Sequence, residues 1–462
     1  MPERDPAGKA DPGPARLSLQ ETLLRKLGAG ERGRGLAGGA AGSFLLKGFS
    51  FLAVFLTTVI LTNVLGAERF GAYAYGMNWV YILMVPAVLG FDRLLLREIP
   101  VLEHRADFGK LRGLLRYSHK LILGISFALA MVAAGVATWM TRLDDVSFAM
   151  TRATQIAMLL LPIFALLRLR QTILLAKRKF VTAQIGELGI LPWGTLVLVG
   201  AIALVDPNRL SAELAILAYF ITGMIGILFL YLKTRSEFDP RVYEATPEYN
   251  VRAWLAAAVP MLLVAGMQIL NQRIDILMVG SMLGAEDVGI YAVANRGVLL
   301  VWLAFFAVNQ PLSPVMAKLH EEQNRASLQN LLVRAARISL ALAVPIAALL
   351  ILFASTFLGF FGAEFRAGHD PMVIMSVGQV ITMVFGSVST ALVMTGNERT
   401  AAVGIGISVL LNIALNLLLI PIYGMTGAAW ALVVGQITAA AMMSIFVYRN
   451  LGINSTALGK TS

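Results

Sequence analysis

The sequence predicts an all-α membrane protein of about 12 transmembrane helices, set out as two parallel-repeat six-helix lobes around a central cavity. Three observations predict it. The chain is 58% hydrophobic and 14% charged, whereas soluble domains sit near ~45–50% and ~25%. Its apolar residues fall in runs of roughly 20 or more, the length that spans a bilayer as helix. And one phrase occurs twice: LGAERFGAYAY at 65–75 returns as LGAEDVGIYAV at 283–293, with seven of eleven positions identical. The two copies are offset by 283 − 65 = 218.

The elements follow in order. Residues 1–40 read as a charged, Pro- and Gly-rich cytoplasmic tail, with no secretory signal pattern. Within it SLQETLLRKL starts on a capping box, Ser18 and Glu21, and aligns Leu19, Leu23 and Leu27 on one face of a short amphipathic helix. The N-lobe, 41–235, holds spans near 42–65, 70–91, 118–140, 154–175, 181–204 and 212–232. Residues 236–251, with Pro240 and Pro247, form a cytoplasmic inter-lobe loop. The C-lobe, 252–449, holds spans near 253–283, 287–316, 333–359, 371–394, 401–421 and 425–447, and 450–462 is a second cytoplasmic tail.

Charge orients this layout. With the N-terminus inside, 31 of the 38 Lys and Arg fall on the cytoplasmic side, five in outer connections and two within helices. Such a bias is the positive-inside signature, and it puts both termini of a multi-pass chain in the cytoplasm. Excess Lys and Arg here reflects membrane topology rather than nucleic-acid binding.

Both copies of the repeated phrase fall at the outer turn between the first two spans of a lobe. Gly66 and Gly284 suit a helix end, because Gly tolerates the left-handed conformation. Gly71 and Gly289 open the next helix and allow close backbone approach. Tyr73 and Tyr291 are expected at interface depth, with the ring apolar and the hydroxyl wet. Thr182-Ala183 and Gly186 match Thr400-Ala401 and Gly404 at the same offset, so the register runs through a whole half. Six spans per repeat leave the halves in like orientation, related by an axis along the membrane normal.

Intramembrane charge is costly and marks function or pairing. The richest stretch is QILNQRIDILMVG, followed across the turn by YAVANRGVLL. Gln268, Asn271 and Asp275 share a helical face, while Arg273 points elsewhere at similar depth. Asp275 and Arg296 are equidistant from the turn, which places them to pair. Two readings stand. In one, the pair bolts two helices together. In the other, Arg273 and Arg296, with Asn271 and Gln268, contact an anionic substrate, and Asp275 and Glu187 couple to an ion. Arg168, Arg170 and Lys47 line an inner mouth or snorkel to headgroups. Asn309, Gln310, Asn412, Asn416 and Gln436 read as interhelical hydrogen-bonding groups.

Several chemistries are excluded. Without Cys there are no disulfides or Cys-ligated metals, and the four His lack the spacing of a metal pair. The terminal LGKTS is not a nucleotide loop, because position 454 is Asn and no helix follows. No catalytic motif sits in a watery loop and no outer connection is long enough to house an active site, so an enzyme is not expected. No cofactor is expected either.

The phrase LGAERFGAYAY after span one, and IDILMVGSMLGAEDVGIYAVANR across spans seven and eight, resemble the polysaccharide flippases of the multidrug/oligosaccharidyl-lipid/polysaccharide exporter superfamily. The resemblance covers about 40–450. It implies two lobes that open alternately to either side of the membrane. The implied cargo is an undecaprenyl-diphosphate-linked oligosaccharide, moved from inner to outer leaflet for O-antigen or exopolysaccharide synthesis. Partners would be membrane lipids and the polymerase and glycosyltransferases of the pathway. Asp275 and Arg296 fall on positions the family often keeps polar. The lipid II branch usually carries two further spans, which are not found here. A cation-coupled multidrug exporter of the same superfamily is the alternative, followed by a multi-span oligosaccharide polymerase or ligase. Surplus Arg over acid in the candidate cavity favours an anionic cargo.

Overall fold

A computed structural model describes residues 31–142, 148–309 and 312–460. The amphipathic helix expected over 18–27 and Gln310 lie outside the described residues. In chain order the helices are α1 (Glu31–Val88), α2 (Phe91–His104), α3 (Phe108–Arg142), α4 (Phe148–Ala157), α5 (Leu160–Ala176), α6 (Phe180–Gln184), α7 (Leu191–Val205), α8 (Ala212–Ser236) and α9 (Pro240–Glu244). They continue as α10 (Val251–Met282), α11 (Ala285–Asn309), α12 (Ser313–Glu321), α13 (Arg325–Leu352), α14 (Ala354–Gly359), α15 (His369–Val384), α16 (Val388–Met394) and α17 (Glu398–Leu451). A single π-helical turn, Ile185–Ile190, joins α6 to α7.

Nine helices among the described residues are long and apolar enough to cross a membrane, and ten if the pair bent by 44° before α16 counts as one. Two of the nine are hairpins. α1 breaks at Gly66 (φ 75°, ψ 177°) and α17 at Gly424 (φ 59°, ψ −140°). Neither can be straight. Ser408 donates to the Gly435 carbonyl at 3.1 Å across 27 residues, whereas that much continuous helix spans roughly 40 Å. Lys47 and Met84 likewise line one cavity. Each hairpin therefore folds one long helix back into two arms. Large apolar side chains such as Leu204 and Leu418 face outward, as a lipid-solvated helical surface requires.

The two copies of the repeated phrase meet. A Cβ on Gly71 would run into the carbonyl oxygen of Ala285, and a Cβ on Gly289 into that of Ala67. The contact is reciprocal: the offset of 218 turns Gly71 into Gly289 and Ala67 into Ala285. A twofold pseudo-axis through the seam produces that exchange. Around it, the Glu364 carboxylate accepts from the Ala67 backbone N–H at 2.7 Å, and Asn63 Nδ2 donates to the Phe360 carbonyl at 2.8 Å. These contacts tie the first hairpin to the second half. Tyr73 and Tyr291 depart from expectation: both are buried, because the seam that places them is an interior packing surface rather than a membrane interface.

The connection between the spans near 70–91 and 118–140, and the inter-lobe loop at 236–251, both carry short helices. α2 buries Phe91, Leu94, Leu95, Ile99 and Leu102, a helical stripe too short to register as a span. α9 is capped by Asp239, which accepts from the Arg241 N–H. The Arg241 guanidinium also holds the Asp239 carboxyl down to about 2. Residues 453–460 are docked rather than free. Ile453 and Ser455 are buried, the Ala457 N–H donates to Val384 at 2.8 Å, and Arg337 donates to the carbonyls of Ala457 and Gly459 at 3.0 and 2.9 Å.

Candidate substrate cavity

A cavity of about 410 Å³ lies below the seam, walled by α1, α5 and the π turn on one side and by α10 and α11 on the other. Its lining includes four cations, Lys47, Arg168, Arg273 and Arg296, and one acid, Glu187. Arg273 and Arg296 flank the turn at Gly284 at nearly equal separations along the chain. At ~1.5 Å per residue both lie roughly 17 Å below the turn, near the middle of a hydrocarbon slab about 30 Å thick.

Each arginine is held by α1. Arg273 donates to Asn78 Oδ1 at 3.2 Å and lies 4.5 Å from the centroid of the Tyr81 ring. Arg296 donates to the Val54 carbonyl at 3.3 Å and stands 6.0 Å from the Phe70 ring centroid. A carbonyl, an amide oxygen and ring faces orient a guanidinium without neutralising it. Neither arginine has a carboxylate within salt-bridge range among the described residues. Lys47 lies 4.3 Å over the Phe306 ring, and Arg168 reaches Asp92 at 3.6 Å. The cavity is thus electropositive at mid-depth.

The sequence-predicted site residues divide into two groups. Arg273, Arg296 and Glu187 come together in the cavity. Asp275 does not pair with Arg296. Its carboxylate accepts from Asn412 and Asn416, both at 2.9 Å, and Asn416 donates onward to Asn412 at 2.7 Å. Asn271 accepts from Ser408 at 3.2 Å and lines a separate cavity of about 280 Å³ within the second half. Gln268 lines neither of these cavities. The reason is rotation about the helix axis. At ~100° per residue, Arg273 and Ile276 face α1, while Asn271 and Asp275 face the first arm of α17. Similar depth therefore does not bring Asp275 into contact with Arg296.

Sequence reasoning missed Asn78 and Tyr81, and left open whether Lys47 and Arg168 line the cavity or snorkel; both line it. One signal was available: 296 − 78 = 218, so Asn78 and Arg296 occupy the same place in the repeat, and both are polar intramembrane positions. Glu187 sits in the π turn, whose extra residue rotates it toward the cavity; such bulges recur at functional sites.

The Asp275 cluster makes a stability prediction. Asp275→Leu strands two buried amide donors, at about 1–3 kcal/mol each, and should lower the melting temperature by several degrees. Asp275→Asn keeps an oxygen acceptor and should melt within a degree or two of the parent, as read by thermal unfolding in detergent.

A helical membrane protein with two repeat-related halves around a polar cavity has the build of an alternating-access transporter. Comparison with known proteins gives the family. The model for the family described as "Polysaccharide biosynthesis protein" matches residues 36–320, well over half of the chain, and the chain belongs to that family. The MatE family model matches residues 260–418. The protein described as "Probable low-salt glycan biosynthesis flippase Agl15" of Haloferax volcanii is 25% identical over 158 residues. That match spans about a third of either chain, 34% of each. Among solved structures, lipid II flippase MurJ in an inward closed conformation aligns with a TM-score of 0.69 at 15% identity, covering 87% of this chain and 86% of that one. An inward-facing MATE family multidrug transporter of the MOP superfamily aligns with 0.72 at 16% identity, covering 87% and 94%. At these identities the structures establish a shared fold.

Proposed function

We propose that this protein is a flippase that carries an undecaprenyl-diphosphate-linked oligosaccharide from the inner to the outer leaflet of the cytoplasmic membrane, by alternating access and with both termini in the cytoplasm. The observation that carries the reading is the surplus of cations at mid-depth in the cavity between the halves. A diphosphate entering a low-dielectric slab loses hydration worth many kcal/mol, and fixed guanidinium groups offset that loss. Arginine suits the task, since its planar fork binds phosphate oxygens in pairs. The glycan would occupy the remaining cavity while the polyprenyl tail stays in the bilayer. Membership in a polysaccharide biosynthesis family and partial similarity to a glycan flippase agree with this cargo. A cationic drug would face repulsion from the same arginines, which weighs against the multidrug alternative.

Coupling would run through Asp275 and Glu187. Asp275 is buried, receives two amide hydrogen bonds, and has no cation within salt-bridge range among the described residues. Beside it, the Asn416 carboxamide oxygen is buried without a hydrogen-bond partner. A carboxylate and a free amide oxygen are hard donors, suited to a proton or a small monovalent cation. Cells lacking the protein should retain lipid-linked repeat units in the inner leaflet and lose surface polymer. Normal surface polymer together with increased drug sensitivity would instead support the exporter reading.

A further inference from the structure

A second basic cavity, of about 620 Å³, shares no lining residue with the first. It opens between the end of α8 and the start of α3, with α5 behind as its floor. Five cations line it, Arg112, Arg116, Lys120, Arg170 and Arg235, together with His119. No acid lines it, and none of the five has a carboxylate within 4 Å among the described residues. Five unneutralised cations around one concavity repel each other, and that arrangement is stabilised by an anion.

The neighbouring groups narrow the kind of anion. Arg170 lies 4.8 Å from the Tyr231 ring centroid, so the ring occupies one face of the guanidinium and leaves its N–H edge for a ligand. His119 Nδ1 is 2.7 Å from the Leu115 carbonyl and must carry the proton there, while Nε2 is buried without a partner. Nε2 of the neutral ring can then accept from a hydroxyl.

The faces leading away from the cavity are apolar. On α3, Arg116 and Lys120 are followed on the same helical face by exposed Leu123, Phe127 and Met131. On α8, Arg235 is preceded on its face by exposed Tyr231, Leu228 and Met224. Two parallel tracks therefore pass from basic to apolar in the same direction. Free phosphate would use the basic end and leave the tracks unused. A phospholipid uses both, with its phosphate among the cations and its acyl chains along the tracks.

We propose that this groove binds the phosphate-bearing head group of an anionic membrane phospholipid, separate from the cargo cavity. Its position at the strongly basic end of the molecule matches the anionic inner leaflet. The test uses the purified full-length protein in detergent, with intact-complex mass spectrometry and thermal melting. Phosphatidylglycerol should remain bound and raise the melting temperature, and phosphatidylcholine should do neither. Arg116→Gln combined with Lys120→Gln, both exposed positions, should weaken phosphatidylglycerol retention at least about tenfold. A matched pair of distant changes, Lys318→Gln with Arg449→Gln, should leave retention unchanged. Phe127→Asp, on the apolar track, should also weaken it. Equal retention of the two lipids overturns the proposal, as does unchanged retention in the Arg116/Lys120 variant. Protection by inorganic phosphate equal to that by the lipid would assign the site to free phosphate and overturn the lipid assignment.

Discussion

Replacing Arg273 and Arg296 together by alanine is expected to reduce transport by roughly a hundredfold or more while the protein still folds. Hydrogen bonds to charged groups contribute about 1.5–3 kcal/mol each, and ~1.4 kcal/mol is a factor of ten. If the cargo is the proposed diphosphate, losing both guanidinium contacts removes at least about two orders of magnitude. Folding should survive because neither arginine neutralises a buried carboxylate. The groups they release are the Asn78 amide oxygen and the Val54 carbonyl, and both Asn78 and Val54 line the cavity. Had Asp275 paired with Arg296, the same change would have stranded a buried charge, at about 3–5 kcal/mol, and the yield would fall. Lysine at either position should give an intermediate rate, since it keeps the charge but loses the planar fork and, at 273, the guanidinium face over Tyr81. The measurement is flipping of a lipid-linked saccharide in proteoliposomes, normalised to monodisperse protein. Unchanged transport per folded molecule would remove these residues from the cargo path.

The contrast between Arg273 and Asp275 shows what the sequence could and could not disclose. Span composition, charge bias and the repeat register are one-dimensional quantities, and the helical architecture and the repeat were legible from them. Depth is also one-dimensional, so Asp275 and Arg296 were placed level with each other and Arg273 at similar depth. Pairing depends on which neighbour each helical face meets. The Asn271–Asp275 face packs on α17, the last long helix of the chain, and no local spacing announces that. Lys47 and Arg168 illustrate a related limit. Near a helix end, a basic residue in the sequence looks the same whether it snorkels or turns inward, and only the packing of α1 against α5 and α11 separates the two. The π turn that directs Glu187 into the cavity is equally invisible to a helical period. The docked segment 453–460 was missed because its anchors are backbone carbonyls, which carry no side-chain signature.

Closing the seam between the two repeat copies requires glycine, and Gly71→Val or Gly289→Val should stop the transport cycle at one stage. Each glycine faces the backbone of the other copy so closely that even a single Cβ would overlap a carbonyl oxygen. Backbone cannot yield as a flexible side chain can, so the added volume is relieved by parting the halves. Alternating access needs both the parted and the closed arrangement, and a ligand can shift that balance only by its differential affinity for the two. Forced parting should therefore leave cargo binding measurable and bring transport to background. Gly124→Val is the control on a helix of the same protein, because a Cβ there meets nothing within 4 Å. The chain contains no cysteine, so spin labels at Glu68→Cys and Glu286→Cys report the seam directly, from exposed positions on either copy. The parent should show a short-distance population that the Gly71→Val background loses and the Gly124→Val background keeps. Retention of that population together with normal transport in Gly71→Val would mean that the seam is a static contact and that the gate lies elsewhere. The reciprocity of the contact adds a stricter requirement: since each glycine occupies the other's position under the pseudo-axis, Gly71→Val and Gly289→Val should produce the same distance change, and combining them should add little to either alone.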